Sequence, residues 1–276
     1  MRSLFLLPIL ALFLASCGGD TASTTAADEA AEKAADEAAM ETPADPATSG
    51  KITIEPMSES PDFPGAAITS MSYENGKFSF GIDGGADGYT LGGQTPDAEQ
   101  KMCANSAKGQ HIHLIVDDKP YAAKYEADFE HEVEDGKHYL LAFLSRSYHE
   151  SIKHEGAETV KLVTMANQTA TDQSDVPGEM LFYSRPKGTY TGKDTENIML
   201  DFYLHNVTLG ADRKVKVETG GQSFTVEQWQ PYILKGLPMG ENTVTLTLVD
   251  GEGNAVNAPL NPVSRTFTLA ADKTES

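Results

Sequence analysis

The chain is short of the usual covalent staples. Its 276 residues hold two cysteines, Cys17 and Cys103, so at most one intrachain disulfide can form and stability must come from packed cores. Basic residues are also scarce. Lys plus Arg number 21 against 41 Asp plus Glu, for a formal net charge of −20. Such a field repels phosphate backbones, which argues against nucleic acid as a partner. Long apolar runs are missing too. The longest, Leu4–Leu14, is interrupted by Pro8 and is too short to span a bilayer. No Gly-x-Ser-x-Gly elbow, His-Glu-x-x-His pair or phosphate-binding Gly-Lys-Ser/Thr loop occurs. A nucleophile–base pair could be assembled from Ser147 and His149, but no orienting acid stands out. A non-catalytic protein is therefore expected.

What is present begins with an address. Met1-Arg2 is basic, Leu4–Leu14 is apolar, and small residues precede Cys17, the order of a secretory signal. Leu14-Ala15-Ser16-Cys17 resembles the lipobox of bacterial lipoproteins. That resemblance implies that Cys17 becomes the first mature residue and carries acyl chains, palmitate among them. At about 0.8 kcal/mol per buried methylene, several chains make a near-permanent membrane anchor. Cys103 would then be the only thiol left. Residues 18–55 are read as a disordered tether, Ala-, Asp- and Glu-rich and without aromatics up to about residue 50. Its typical reach is roughly 30–35 Å. Gly18 after the lipid-bearing cysteine, with acidic residues soon following, points to the outer membrane, with the domains facing the periplasm or the cell surface.

The remainder reads as short β-rich runs every 8 to 12 residues, bounded by Gly, Asn, Asp and Pro. An internal repeat sharpens this into two tandem immunoglobulin-like or fibronectin-like β-sandwiches, an all-β fold. HIHLIVDDKPY (111–121) aligns on KVKVETGGQSF (214–224), GKHYLLAFL (136–144) on GENTVTLTL (240–248), and KLVTM (161–165) on RTFTL (265–269). The domains are placed at 62–168 and 176–271, joined through 171–179. The first copy carries an insertion, 94–109.

The two copies differ on one face. In 243–249 of the second copy Val244, Leu246 and Leu248 alternate with threonines, so the apolar set points inward. The same parity sends Leu140, Ala142, Leu144, Ile112, Leu114 and Val116 of the first copy inward. It leaves His111, His113, Ile115, Tyr139, Leu141 and Phe143 facing out. An apolar outer face is normally covered or used, and the insertion, with Met102 and Cys103, is the expected cover. Six of the seven histidines lie between 111 and 154, and the loop SRSYHESIKH (145–154) adds hydroxyls and an arginine.

Three uses compete. In the first, His111 and His113, two apart on a strand, chelate a metal, completed by His149, His154, Cys103 or Met102; imidazole with soft sulfur suits copper or zinc. In the second, Ser145, Arg146, Ser147 and Tyr148, with Tyr139 and Phe143, bind an anionic peptide or a glycan. In the third, the histidines brace the insertion and the protein is a scaffold in an envelope complex, with an unidentified protein partner. His131 and His138 read as structural. Trp229 and Tyr232 read as packing of the second domain, though an exposed aromatic there could bind sugar.

The stretches QTPDAEQKMCANSAKGQHIHLIVDDKPYAAKY (94–125) and LLAFLSRSYHESIK (140–153) resemble a family of bacterial surface lipoproteins with immunoglobulin-like domains, often labelled phosphopeptide-binding proteins. FYSRPKGTY (182–190) and LDFYL (200–204) resemble it more loosely. The likeness implies the anchor, the β fold and binding of a phosphopeptide. The Gly-Arg and Ser-x-x-His signature of forkhead-associated phosphopeptide modules is not found here, since Ser147-Tyr148-His149 has a shorter spacing.

Overall fold

The computed structural model describes residues 51–86 and 88–272. The expected signal at 1–17, the expected anchor Cys17 and the part of the expected tether up to residue 50 lie outside them. The described residues form strands and two short 3-10 turns, with no α-helix, so the chain is all-β as its strand-length periodicity predicts.

Four sheets make two sandwiches. In the first, β2 (Ala67–Glu74), β3 (Lys77–Asp83) and β6 (Asp128–Glu130) form one layer, in the order β2-β3-β6. The facing layer is β5 (Ala122–Lys124), β4 (His111–Val116), β7 (Gly136–Ser145), β8 (Glu158–Ala166) and β9 (Thr169–Asp175). In the second, β1 (Thr53–Pro56), β15 (Tyr232–Lys235), β12 (Ile198–His205) and β10 (Met180–Arg185) form one layer. The other is β11 (Gly188–Thr191), β17 (Val263–Ala270), β16 (Gly240–Asp250), β13 (Arg213–Thr219) and β14 (Gln222–Val226). All pairings are antiparallel except β11 with β17.

The repeat holds at the level of the ladder. His111 pairs with Ser145 as Lys214 pairs with Val249, and His138 pairs with Val163 as Asn242 pairs with Phe267. Inward parity holds as well. Ile112, Leu114, Leu140, Ala142 and Leu144 meet Phe78 and Phe80 in the first core, and Val215, Val217, Val244, Leu246 and Leu248 meet Phe202 and Phe267 in the second.

Three expectations are corrected. The tether does not run to residue 55: Ile52 is buried, and Thr53–Pro56 pair with Lys235–Tyr232 of the second sandwich, completing its edge. The segment 171–179 is not all linker, because Thr169–Asp175 is a strand paired with β8, which uses its backbone groups in a ladder. Nor does the insertion cover the apolar outer face. Ile115, Leu141 and Phe143 instead meet Met180, Phe182 and Tyr203 of the second sandwich, with the Phe143 and Tyr203 rings stacked at 5.2 Å. Burying a large apolar side chain is worth roughly 1.5–3 kcal/mol. A sheet face supplies such area in one rigid piece, which a polar 16-residue loop (94–109) does not.

This docking explains why β12 is almost continuously apolar. Ile198, Leu200, Phe202 and Leu204 enter the second core, while Met199, Asp201 and Tyr203 face the seam between the sandwiches. Asp201 is fully buried there, ion-paired to Lys153 at 2.5 Å and accepting from the Ser151 N–H at 3.0 Å. The insertion lies along the same seam, where Cys103 packs with Tyr148, Met199 and Ile233.

Candidate metal centre at the domain seam

The geometry starts at Gly109, which ends the insertion. Its φ is +87°, and a Cβ there would lie 2.4 Å from the Gly92 carbonyl oxygen, so only glycine fits. Its carbonyl oxygen lies 2.7 Å from His111 Nδ1. A carbonyl only accepts, so Nδ1 carries the ring proton and Nε2 presents a bare lone pair. Antiparallel parity puts His113 on the same face, with its Nε2 2.8 Å from His111 Nε2. The third ring comes from the loop after β7. Ser145 bridges to Ser151, the Arg146 N–H donates to the Glu150 carbonyl at 2.9 Å, and the His149 N–H donates to the Arg146 carbonyl at 2.9 Å. His149 sits at φ +68° at the tip of this turn, a left-handed conformation uncommon outside glycine. Its Nδ1 lies 3.0 Å from His111 Nε2.

Three ring nitrogens thus lie within 4.8 Å of one another, a group able to hold a metal ion. His111 and His113 are fully buried and His149 is half-buried. Burial disfavours the imidazolium and pushes His111 down to about 3, with His113 and His149 also well below the usual histidine value; Arg185 and Lys187 nearby act in the same direction. The rings are therefore neutral at pH 7, the state in which imidazole ligates.

Around the cluster stand residues that sequence reasoning missed. The Tyr121 ring stacks on His113 with centroids 3.6 Å apart, and its hydroxyl lies 3.2 Å from His149 Nδ1. The Tyr125 ring lies 4.9 Å from His111. From the second sandwich, Ser184 Oγ lies 3.4 Å from His113 Nδ1. Tyr121 and Tyr125 were legible in principle, because β5 pairs with β4 and carries the same outward parity. Ser184 was not, since only the docking of β10 brings it near.

The other expected site residues go elsewhere. His154 bonds the Glu155 and Phe63 carbonyls at 2.9 Å each, away from the cluster. The thiol of Cys103 is buried among apolar side chains and pushed up to about 11, an inert state. Met102 is exposed. The residues of the expected ligand-binding set have partners within the protein. Ser145 Oγ donates to the Arg146 and Glu150 carbonyls, and Ser147 exchanges hydrogen bonds with Thr95 of the insertion at 3.2 and 2.9 Å. Arg146 bonds the Pro61 and Ser151 carbonyls and pairs with Glu150 at 3.3 Å. The Tyr148 hydroxyl donates to Asp97 at 3.1 Å. Phe143 is fully buried, and Tyr139 is half-buried beside it in the seam. These side chains brace the loop that carries His149, and Arg146 also lines a cleft at the seam. His138 is structural, bonded to Asp117 at 2.7 Å and to the Glu134 carbonyl at 2.9 Å. Trp229 donates to the Phe202 carbonyl at 3.0 Å and packs edge-on against Tyr203. It also lines a cleft of about 580 Å³ at the seam.

No protein-family model matches the chain, and no curated protein matches it. Solved structures similar to it include the fibronectin(III)-like modules of Clostridium thermocellum CbhA. That likeness has 12% identity over 34% of this chain and 100% of that one, with a TM-score of 0.27. Another is the Bacteroides ovatus protein SGBP-B of a mixed-linkage glucan utilization locus, solved with a mixed-linkage heptasaccharide. It shows 10% identity over 80% of this chain and 71% of that one, with a TM-score of 0.20. No described helix is long and apolar enough to cross a membrane.

Proposed function

We propose that this is a lipid-anchored, non-catalytic protein of the bacterial envelope that binds a transition-metal ion through His111 Nε2, His113 Nε2 and His149 Nδ1. The observation that carries the reading is the convergence of three neutral ring nitrogens on one point, with the lone pair of His111 turned inward by the Gly109 carbonyl. Metal–nitrogen bonds of roughly 2.0–2.1 Å place tetrahedral ligand nitrogens roughly 3.3 Å apart. The two closest pairs here, at 2.8 and 3.0 Å, open by a few tenths of an ångström on binding, and the His113–His149 pair, within 4.8 Å, adjusts toward the same spacing. An all-imidazole set suits zinc or copper(II). Ser184 and the Gly109 carbonyl are the outer partners that orient such ligands. The anchor at Cys17 and an outer-membrane location complete the proposal; the anchor rests on the sequence of the first seventeen residues, and the location on Gly18 and the acidic residues after it.

A phosphopeptide or glycan reading has less support, because Ser145, Arg146, Ser147 and Tyr148 use their polar atoms internally. A Ser147–His149 catalytic pair has less support as well, since Ser147 Oγ accepts from the Thr95 N–H and His149 Nδ1 faces His111.

Zinc and copper(II) titration of the purified chain by calorimetry tests the proposal. One ion per chain is expected, lost in the His111→Ala/His113→Ala double variant, reduced at least about tenfold in His149→Ala (about 1.4 kcal/mol), and retained in His154→Ala and Cys103→Ser. A folded wild-type chain that takes up neither ion would end the metal reading and leave the histidines as braces of the seam.

A further inference from the structure

The cleft of about 580 Å³ that Arg146 and Trp229 both line shares none of the three clustered histidines. One wall is the crossing segment 57–64, which joins β1 to the first sandwich. It is not a strand, yet it is fastened along its length. The Met57 N–H donates to the Pro231 carbonyl at 3.0 Å, and Lys101 Nζ donates to the Ser58 and Glu59 carbonyls at 3.0 and 2.5 Å. Arg146 Nε donates to the Pro61 carbonyl at 2.9 Å, and His154 Nε2 bonds the Phe63 carbonyl at 2.9 Å. A wall held in this way is preformed, so a ligand need not pay to order it. Charge is divided unevenly across the cleft. Its cations are spent internally, Arg146 on Glu150 at 3.3 Å and Lys153 on Asp201 at 2.5 Å. Its rim carboxylates, Glu59 and Asp62, are exposed, and among the described residues no ion pair takes up either charge. Between them lies an apolar lining of Met57, Pro64, Pro231 and Trp229. The indole N–H is already given to the Phe202 carbonyl at 3.0 Å, so the rest of that ring is carbon surface. Uncompensated carboxylates beside an indole attract a cation through both the charge and the ring quadrupole, and the same set repels an anion.

We propose that this cleft binds an organic ammonium group carried on an apolar stem, the chemistry shared by a free polyamine and by a lysine side chain of a partner polypeptide. The ammonium group is held at Glu59 and Asp62, and the stem lies along Met57, Pro64 and Trp229. The net charge of −20 adds a long-range field that draws such a ligand in. The site uses no metal and stands whether or not the histidine cluster takes one.

Trp229 is the one tryptophan of the chain, so its fluorescence reports directly on the cleft. The test titrates the purified, chelator-treated chain with spermidine and, separately, with tetralysine. A saturable change in Trp229 emission is expected with either, and the tighter of the two identifies the source of the ammonium group. Affinity should fall at least about tenfold, about 1.4 kcal/mol, in Glu59→Gln/Asp62→Asn, whose exposed positions leave the fold intact. It should persist in Glu241→Gln/Glu252→Gln, which makes the same change of charge at exposed positions outside the cleft. Trp229→Leu, followed by calorimetry, should weaken binding severalfold. Three outcomes overturn the inference: no saturable change with either cation, an equal loss in both double variants, and a response to cellotriose that spermidine does not displace. The last would make the cleft a site for a neutral sugar.

Discussion

The two sandwiches share a ladder and differ in what they turn outward. At matching places on the central strands the first copy has His111, His113 and Leu141, and the second has Lys214, Lys216 and Thr245. In the second copy Thr243 and Thr245 face solvent and share hydrogen bonds of 2.9 and 2.7 Å with Thr266 and Ser264 on the next strand. In the first, the same positions build half of a domain seam and a histidine cluster. Inward residues fix the fold in both copies; outward residues are free to specify a partner, and on this pair of matching strands only the first copy has used that freedom.

The sharpest way to break this contrast is to remove seam packing. Leu141→Ala is expected to cost about 2–5 kcal/mol, whereas Thr245→Ala at the matching place should stay within about 0.5 kcal/mol. Chemical denaturation of both variants reads the difference, and equal losses would mean that the seam contributes nothing. Acid comes next. In the metal-free chain three histidines stay neutral when folded, so unfolding takes up protons below the ordinary histidine value. Their stability is fully present above about pH 6.5 and is lost as pH falls toward the depressed folded values, about 3 for His111. Each such histidine adds a slope of up to about 1.4 kcal/mol per pH unit. Denaturation midpoints between pH 7 and 4 should fall less steeply for His113→Phe than for the wild type. The mildest test transplants the pair. Lys214→His/Lys216→His should fold with little change and bind no second metal ion, because the second copy has no counterpart of His149. A second stoichiometric site in calorimetry would show that a strand pair alone suffices.

Much of this was legible in the sequence. A period of two is fixed by backbone geometry, so the parity of 111–116 and 136–144 carries directly into the structure, and with it the pairing of His111 with His113. His149 was suggested by nearness in sequence alone; its approach depends on the turn closed between Arg146 and Glu150. Ser184 lies about 70 residues from His113, and nothing local to either residue encodes their meeting. The same limit misassigned the cover of the apolar face. Ile115, Leu141 and Phe143 announced that something must lie on them, but which surface did so was decided by the outward side of β10 and β12. There the near-continuous apolar run of 198–204 was the one available sign that both faces are buried.

The strand Thr53–Pro56 carries a consequence for the molecule as a mechanical object. The chain first enters the second sandwich, crosses at 57–61 to the first, and crosses back at 176–179. Two covalent straps therefore span the seam, and the sandwiches are not beads that swing on one hinge. Cutting the chain before residue 57 would release one strap and bare the edge of β15 at the same stroke. A pull arriving from the N-terminal side reaches the second sandwich first, so the histidine-bearing domain, although earlier in sequence, hangs from its neighbour.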